Sequence, residues 1–412
     1  MLNSLIFSLI ERFSFIRKSK IYEFVKDIGF PLIIKYLSKF FNEAIDDNLI
    51  ILGAYTGRLY IDNPKYLFEF LNKQSKNQVI WITKNKDVTS GLKKKGFTVL
   101  PFYSIKTLKL LRKAKYIFLS HGRSDILPIK FSSRTTIILA WHGTPIKIIN
   151  LNLENTYAYS KWNRIFKLKS EFNEYVNFLL TPTKDEEDHR ILANAFKIPL
   201  SKILSSGYPR NDILLVKNDE FTQKLKIKFE IASHIERIIL YAPTYRDDFI
   251  FRFPLTESEL NTLNDLLKET HTIFLIKGHI FEEELEVNKY DHFQLIKKDG
   301  DIQELLLISD ILVTDYSSMM FDYLLLNRPI LLFAYDLKEY VKERGMYYNF
   351  EEIAPGPILF TGKELIDAIK NIEKIDNNFK EKRELIKVRF NKFTDGKSIE
   401  RILKFLNISF NN

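Results

Sequence analysis

The sequence predicts an α/β protein of two Rossmann-like halves facing across a cleft, with a helical segment ahead of them. Three observations lead there. After Asp47, short β-branched and aliphatic runs alternate with segments of helical spacing, the pattern of a mostly parallel sheet covered on both faces. The alternation runs twice, up to Ser205 and again from Arg237, with a helical connection over Ile213–His234. Polar turns carrying His, Arg, Lys and Ser follow several strand candidates directly, at the carboxyl edge where such sheets bind ligands. The expected divisions are a helical segment over 1–47, a first domain over 48–212, a connection over 213–235, a second domain over 236–375 and helices over 376–412.

In the first half the strand candidates are Leu49–Leu52, Gln78–Ile82, Thr98–Leu100, Tyr116–Leu119, Thr136–Ala140, Val176–Leu180 and Lys202–Ser205. Helices are expected at Tyr66–Lys73 and Ile105–Lys113. The stretch from Asn150 to Glu174 is polar but holds Tyr157, Tyr159, Trp162, Arg164, Lys167 and Lys169, and reads as an exposed functional segment. In the second half, strands are expected at Ile238–Tyr241, Thr272–Ile276, Phe293–Leu295, Ile311–Val313 and Ile330–Phe333. Helices are expected at Glu257–Glu269, Ile302–Ile308 and Met319–Leu326, and again across Lys363–Phe410, which is rich in Lys, Glu, Leu and Ile.

The 412 residues suffice for two or three domains, and 45% are apolar, enough for large cores. Without cysteine there are no disulfides, no Cys-ligated zinc and no thiol chemistry, which fits a reducing cytosol. A formal charge of +10 points to an anionic partner: nucleic acid, acidic lipid or a phosphate-rich substrate. With no zinc-finger spacing, RNP-like motif or Arg-rich run, no nucleic acid is expected. Met1–Ile16 carries Glu11 and Arg12 and is too short and interrupted to span a bilayer. Leu2–Phe41 mixes aromatic and aliphatic residues with Arg12, Arg17, Lys18, Lys20, Lys26, Lys35 and Lys39. Such helices lie on an anionic membrane surface, pack on the protein's own core or meet a partner chain.

Five turns carry the chemistry. Ala140-Trp141-His142-Gly143-Thr144-Pro145-Ile146-Lys147 places His142 just past a strand, a place for a general base because imidazole titrates near neutral pH. Its alternative is a histidine that only bonds the turn. In Ser206-Gly207-Tyr208-Pro209-Arg210-Asn211-Asp212, Arg210 either binds an anion or pairs with Asp212 or another acid. Tyr241-Ala242-Pro243-Thr244-Tyr245-Arg246-Asp247 offers the planar fork of Arg246 to phosphate oxygens. Lys277-Gly278-His279 closes the next strand. Thr314-Asp315-Tyr316-Ser317-Ser318 passes from a strand into a helix, where backbone N–H groups and the two hydroxyls suit a phosphate or diphosphate, or the serines simply cap the helix. Asp315 is expected to hold that turn through backbone N–H groups. Asp322 either accepts from ribose hydroxyls or pairs with a cation.

Taken in order, these motifs resemble the CDP-glycerol glycerophosphotransferase family, the polyol-phosphate transferases of teichoic acid and capsule polymers. The resemblance covers roughly residues 48–375. It includes Asp62-Asn63-Pro64-Lys65-Tyr66, Phe321-Asp322-Tyr323, Tyr335-Asp336-Leu337 and Pro355-Gly356-Pro357 beside the turns above. One departure is Ile280, where the family usually has proline after the histidine of Lys277-x-His279. The resemblance implies a GT-B architecture, with the CDP donor in the C-terminal half and the acceptor in the N-terminal half. It places the catalytic histidine on His142, with His279 as a second catalytic candidate and donor-phosphate ligand. Its donor-phosphate ligands also fall on Arg246, Ser317 and Ser318, the serines as ligands rather than nucleophiles, and Lys277, Thr314 and Asp322, from the same strand-end turns, are further donor-site candidates. Gly143, Thr144, Lys147 and Arg210 are acceptor or structural turn residues.

The implied reaction transfers glycerol phosphate from CDP-glycerol to a hydroxyl of a polyol-phosphate, glycan or lipid-linked acceptor and releases CMP. CDP-ribitol, or a nucleotide sugar used by a GT-B glycosyltransferase, is the alternative donor. No cofactor and no metal is expected: fixed cations can neutralise the phosphates, and Asp247-Asp248 reads as an Arg-paired turn. The implied location is cytoplasmic, peripheral on the inner face of the membrane.

Overall fold

In a computed structural model of the chain, Leu49–Leu52 is wholly buried, as a strand covered on both faces requires. The structure describes residues 43–127, 129–150, 152, 172–216, 218–244, 253–278, 289–296 and 300–411. The expected helices of Leu2–Phe41, the stretch from Tyr157 to Lys169, and the turn residues Tyr245, Arg246, Asp247, Asp248, His279 and Ile280 lie outside them. Contacts divide the chain into two compact units. The first comprises residues 1–140, 175–177 and 410–412, and the second comprises 141–174 and 178–409.

The first unit alternates strand and helix: β1 (Asp46–Gly53), α1 (Asp62–Gln74), β2 (Gln78–Thr83), α2 (Lys86–Lys94), β3 (Val99–Pro101), α3 (Ile105–Lys113), β4 (Ala114–Leu119) and β5 (Thr136–Leu139). The strands are parallel in the order β3-β2-β1-β4-β5. α1 begins one turn earlier than expected, because Asn63 and Pro64 form its first turn, where proline is tolerated. α2 had no sequence signal beyond its Asn85 cap: only Leu92 of its residues is buried. Val176 and Asn177 do not extend a strand as expected. The Asn177 side chain instead accepts from the Ile137 N–H at 2.8 Å.

In the second unit, β6 (Phe178–Thr181) pairs with β7 (Ile203–Ser205) across α4 (Glu186–Phe196). α5 (Asp219–Lys228) then leads to a six-stranded parallel sheet. Its elements are β8 (Arg237–Tyr241), α6 (Glu257–Glu269), β9 (Thr272–Ile276), β10 (Phe293–Leu295), α7 (Ile302–Ile308), β11 (Ile311–Thr314), α8 (Met319–Tyr323), β12 (Ile330–Phe333), α9 (Leu337–Arg344) and β13 (Ile358–Leu359), in the order β10-β9-β8-β11-β12-β13. Alternate residues enter two cores: Ile238, Leu240, Leu312 and Leu332 on one face, Ile239, Tyr241, Val313 and Leu331 on the other. The expected helix over Met319–Leu326 is five residues of α-helix followed by a 3₁₀ turn, stopped by Asn327 in the left-handed region.

The C-terminal helices are α10 (Gly362–Lys370), α11 (Ile372–Phe390) and α12 (Ser398–Phe405). Phe390 stacks on Phe321 at 4.0 Å, and the Asn391 side chain donates to the Phe321 carbonyl at 2.7 Å. The Asp212 carboxylate accepts from the Ser398 and Ile399 N–H groups at 2.9 Å each, closing the N-terminus of α12. Among the described residues, no helix is long and apolar enough to cross a membrane.

Candidate active site

The first unit prepares the chain for His142. Asn63, fully buried, donates to the Ala140 carbonyl at 3.2 Å and so pins the end of the β5 segment. Trp141 follows with φ 55°, a conformation that non-glycine residues rarely hold. In the second unit the Trp141 ring lies 3.8 Å from the His142 imidazole and edge-on to Phe196.

Within that unit the His142 turn meets the Ser318 turn. Gly143 has φ 150°, and a Cβ built on it would lie 2.4 Å from Ser318 Oγ and 3.5 Å from Arg210 Nη2. Glycine is required there for its dihedral and for the close approach. Arg210 Nη1 donates to the His142 carbonyl at 2.8 Å, while Nη2 pairs with Asp322 Oδ2 at 2.8 Å. Asp322 also accepts from Asn211 Nδ2 at 2.9 Å and Gln303 Nε2 at 3.0 Å. One planar fork therefore ties the backbone of the expected base to the helix after Ser318. Downstream, Lys147 bridges Met346 in antiparallel fashion, and Tyr347 N–H donates to the Ile146 carbonyl at 2.9 Å. Thr144 is buried in this segment.

The ends of β9, β8 and β11 converge as expected of neighbours. Lys277 N–H donates to the Tyr241 carbonyl at 2.8 Å, and Asp315 Oδ1 accepts from Thr244 N–H at 2.7 Å. Asp315 thus accepts from a backbone N–H as expected, but that of the neighbouring turn after β8, so it ties two turns together. Tyr316 lies buried beneath it, stacked on Tyr340 at 4.2 Å and donating to Asp336 at 2.8 Å.

The structure gives Thr314, Asp322 and Arg210 protein partners. Thr314 is fully buried and its hydroxyl donates to the Ala242 carbonyl at 2.7 Å, so it joins two strand ends rather than facing a donor. Asp322 is buried and engaged by Arg210, Asn211 and Gln303, which is the cation pairing among the two alternatives read from the sequence. Arg210 accordingly pairs with Asp322, not with Asp212, whose oxygens serve α12. Ser318 stands at the N-cap without a side-chain cap bond, and Ser317 Oγ accepts from Met319 N–H only at 3.4 Å. Neither hydroxyl is committed to strong capping.

Gln303 and Asn211 are network members that sequence reading missed. Asn211 stood in a quoted motif, but nothing local marks Gln303, which lies on α7 far along the chain.

The family model described as CDP-Glycerol:Poly(glycerophosphate) glycerophosphotransferase matches residues 34–407. The chain belongs to this family. It is 34% identical to the teichoic acid glycerol-phosphate transferase of Staphylococcus aureus (strain NCTC 8325 / PS 47), over 89% of this chain and 94% of that protein. It is 31% identical to the teichoic acid poly(glycerol phosphate) polymerase of Staphylococcus epidermidis (strain ATCC 35984 / DSM 28319 / BCRC 17069 / CCUG 31568 / BM 3577 / RP62A), over 87% of this chain but only 50% of that protein. Among solved structures, the wall teichoic acid polymerase TagF superposes with a TM-score of 0.79 at 29% identity, covering 94% of this chain and 96% of that one. As a glycerophosphotransferase-family enzyme, the chain carries the His142, Arg210, Lys277 and Ser317–Ser318 turns, all among the described residues, beside two parallel α/β sheets. Its His142-Gly143 turn packs directly on the serine turn of the second.

Proposed function

We propose that this enzyme transfers glycerol phosphate from CDP-glycerol to a hydroxyl of a polyol-phosphate or lipid-linked glycan acceptor in teichoic-acid-like or capsule polymer synthesis. The observation that carries the reading is the packing of Gly143 against Ser318, with Arg210 bonded to both His142 and Asp322. This brings the turn of an expected general base onto the turn of an expected phosphate site. Both S. aureus glycerol-phosphate transferase and ribitol-phosphate polymerase TarK are similar to this chain, at 34% and 26% identity, which favours glycerol over ribitol.

In the reaction, His142 takes the proton from the acceptor hydroxyl. The oxygen attacks the β-phosphorus of CDP-glycerol, the phosphoanhydride bond breaks in line, and CMP leaves with the bridging oxygen. Ser317, Ser318, Lys277, Arg246 and His279 neutralise and orient the diphosphate. Thr144 and Lys147 continue the His142 turn on the acceptor side. The two halves act as a GT-B pair, residues 48–212 receiving the acceptor and 236–375 holding CDP. The basic N-terminal segment lies on the anionic inner face of the cell membrane.

The test is product analysis by mass spectrometry, with CDP-glycerol, CDP-ribitol and UDP-sugars offered separately to a panel of acceptors. Glycerol phosphate addition with CMP release is expected. Transfer from a UDP-sugar instead would overturn the reading, and preference for CDP-ribitol would correct the donor.

A further inference from the structure

The strand order of the first unit reverses at β1, with β2 and β3 on one side and β4 and β5 on the other. Open parallel sheets bind ligands beyond the strand ends at such a reversal. Here the reversal lies between the loop after β1, Tyr55–Gly57, and the loop after β4, Ser120–Asp125.

Tyr55, Thr56 and Gly57 have φ of 47°, 55° and 74°, three left-handed residues in a row. Such a run persists only where its surroundings hold it, and such strain collects at functional sites. Tyr55 N–H donates to Ser120 Oγ at 3.1 Å and Thr56 N–H to Asp125 Oδ1 at 2.7 Å. Asp125 Oδ2 accepts from the N–H groups of Ser120, His121 and Gly122 at 2.8, 2.6 and 3.3 Å. Burial pushes the Asp125 carboxyl up, while His121 and these N–H groups oppose the rise. The carboxylate occupies a cradle of backbone N–H groups of the kind that elsewhere collects a phosphate. A ligand at this edge is therefore read by side chains.

Two side chains are built for that. The His121 ring stands edge-on to Tyr55 at 5.1 Å, and its Nδ1 meets Ser120 Oγ at 2.8 Å. The same Ser120 hydroxyl donates to Asp125 Oδ2 at 3.3 Å, so the imidazole is held at Nδ1 by a group itself anchored on the buried carboxylate. Both rings are partly exposed, and exposed Arg58 and Lys84 follow β1 and β2 on the same edge. Lys84 lies 4.0 Å over the Phe102 ring, and Arg123 is engaged with Tyr175.

We infer that this edge is a subsite for the polyol-phosphate acceptor chain. The His121 ring hydrogen-bonds the chain at a phosphate, the Tyr55 ring and hydroxyl meet the polyol, and Arg58 and Lys84 supply charge. The inference rests on the acceptor reading under Proposed function.

The test is calorimetric binding of a short synthetic poly(glycerol phosphate) without donor, together with steady-state kinetics, for wild type, His121→Ala and Tyr55→Phe. His121→Ala is expected to weaken oligomer binding and raise the acceptor KM about tenfold or more, the scale of one hydrogen bond to a charged group. The KM for CDP-glycerol should stay unchanged, whatever Tm is lost with the Ser120 and Tyr55 contacts. Tyr55→Phe, which keeps the ring and its packing, should show a smaller loss of the same kind. Wild-type acceptor affinity in both variants would overturn the subsite alone. Oligomer binding through His121 by an enzyme that does not use CDP-glycerol would overturn the functional reading and leave the subsite standing.

Discussion

Arg210 and Asp322 form an ion pair at 2.8 Å with side chains only 8% and 5% exposed. The same guanidinium holds the His142 carbonyl. A buried pair of this kind is worth little against an apolar replacement, but losing one partner leaves the other charged and unsatisfied.

Asp322→Asn is therefore expected to cost about 3–5 kcal/mol of stability, the usual penalty for stranding a buried charge. Denaturant unfolding measures it. A variant as stable as wild type would show that the guanidinium finds other compensation.

Gly143→Ala should strain the His142 turn by about 1–3 kcal/mol, since it combines φ 150° with a Cβ 2.4 Å from Ser318 Oγ. Adding Ser318→Gly removes the steric half of that cost and none of the dihedral half. A double-mutant cycle on unfolding free energy should show coupling of about 0.5 kcal/mol or more. Strict additivity would contradict the contact.

His142→Asn should reduce transfer about 100- to 10,000-fold, the span of general-base catalysis, while donor binding persists. Single-turnover CMP release, with donor affinity measured separately, distinguishes the two. Full activity in a folded variant would remove His142 from the mechanism.

Asp188 gives a pH prediction. It is buried, accepts from the Tyr348 hydroxyl at 2.6 Å and lies 3.7 Å from Arg389. Burial, the leading cause, pushes its carboxyl up; Tyr348 and Arg389 work against the rise, and Asp185 adds to it. A folded-state pKa above the unfolded value favours folding fully below the unfolded pKa, and that contribution is lost as pH rises through the folded pKa. Asp188→Asn does not ionise, so it should gain Tm relative to wild type as pH climbs above about 4. Thermal unfolding of both proteins from pH 4 to 7 decides it; a variant that loses ground over that range refutes the account.

Local pattern carried much of this protein. Thr272–Ile276, Phe293–Leu295, Ile330–Phe333, Ile105–Lys113, Glu257–Glu269 and Ile302–Ile308 are elements at the bounds read from the sequence, because apolar periodicity and caps act within a few residues. The same reading found the strand-end turns and the family, since both depend on residues adjacent in the chain. The partners of Thr314, Arg210, Asp322 and Gln303 appear only in the tertiary structure. Whether a threonine hydroxyl faces a ligand or the Ala242 carbonyl depends on a strand 72 residues away. Whether an aspartate meets ribose or arginine depends on which chain segments fold against it. The sequence by itself determined which groups stand at the strand ends; long-range packing decided which of them are consumed in holding the site together.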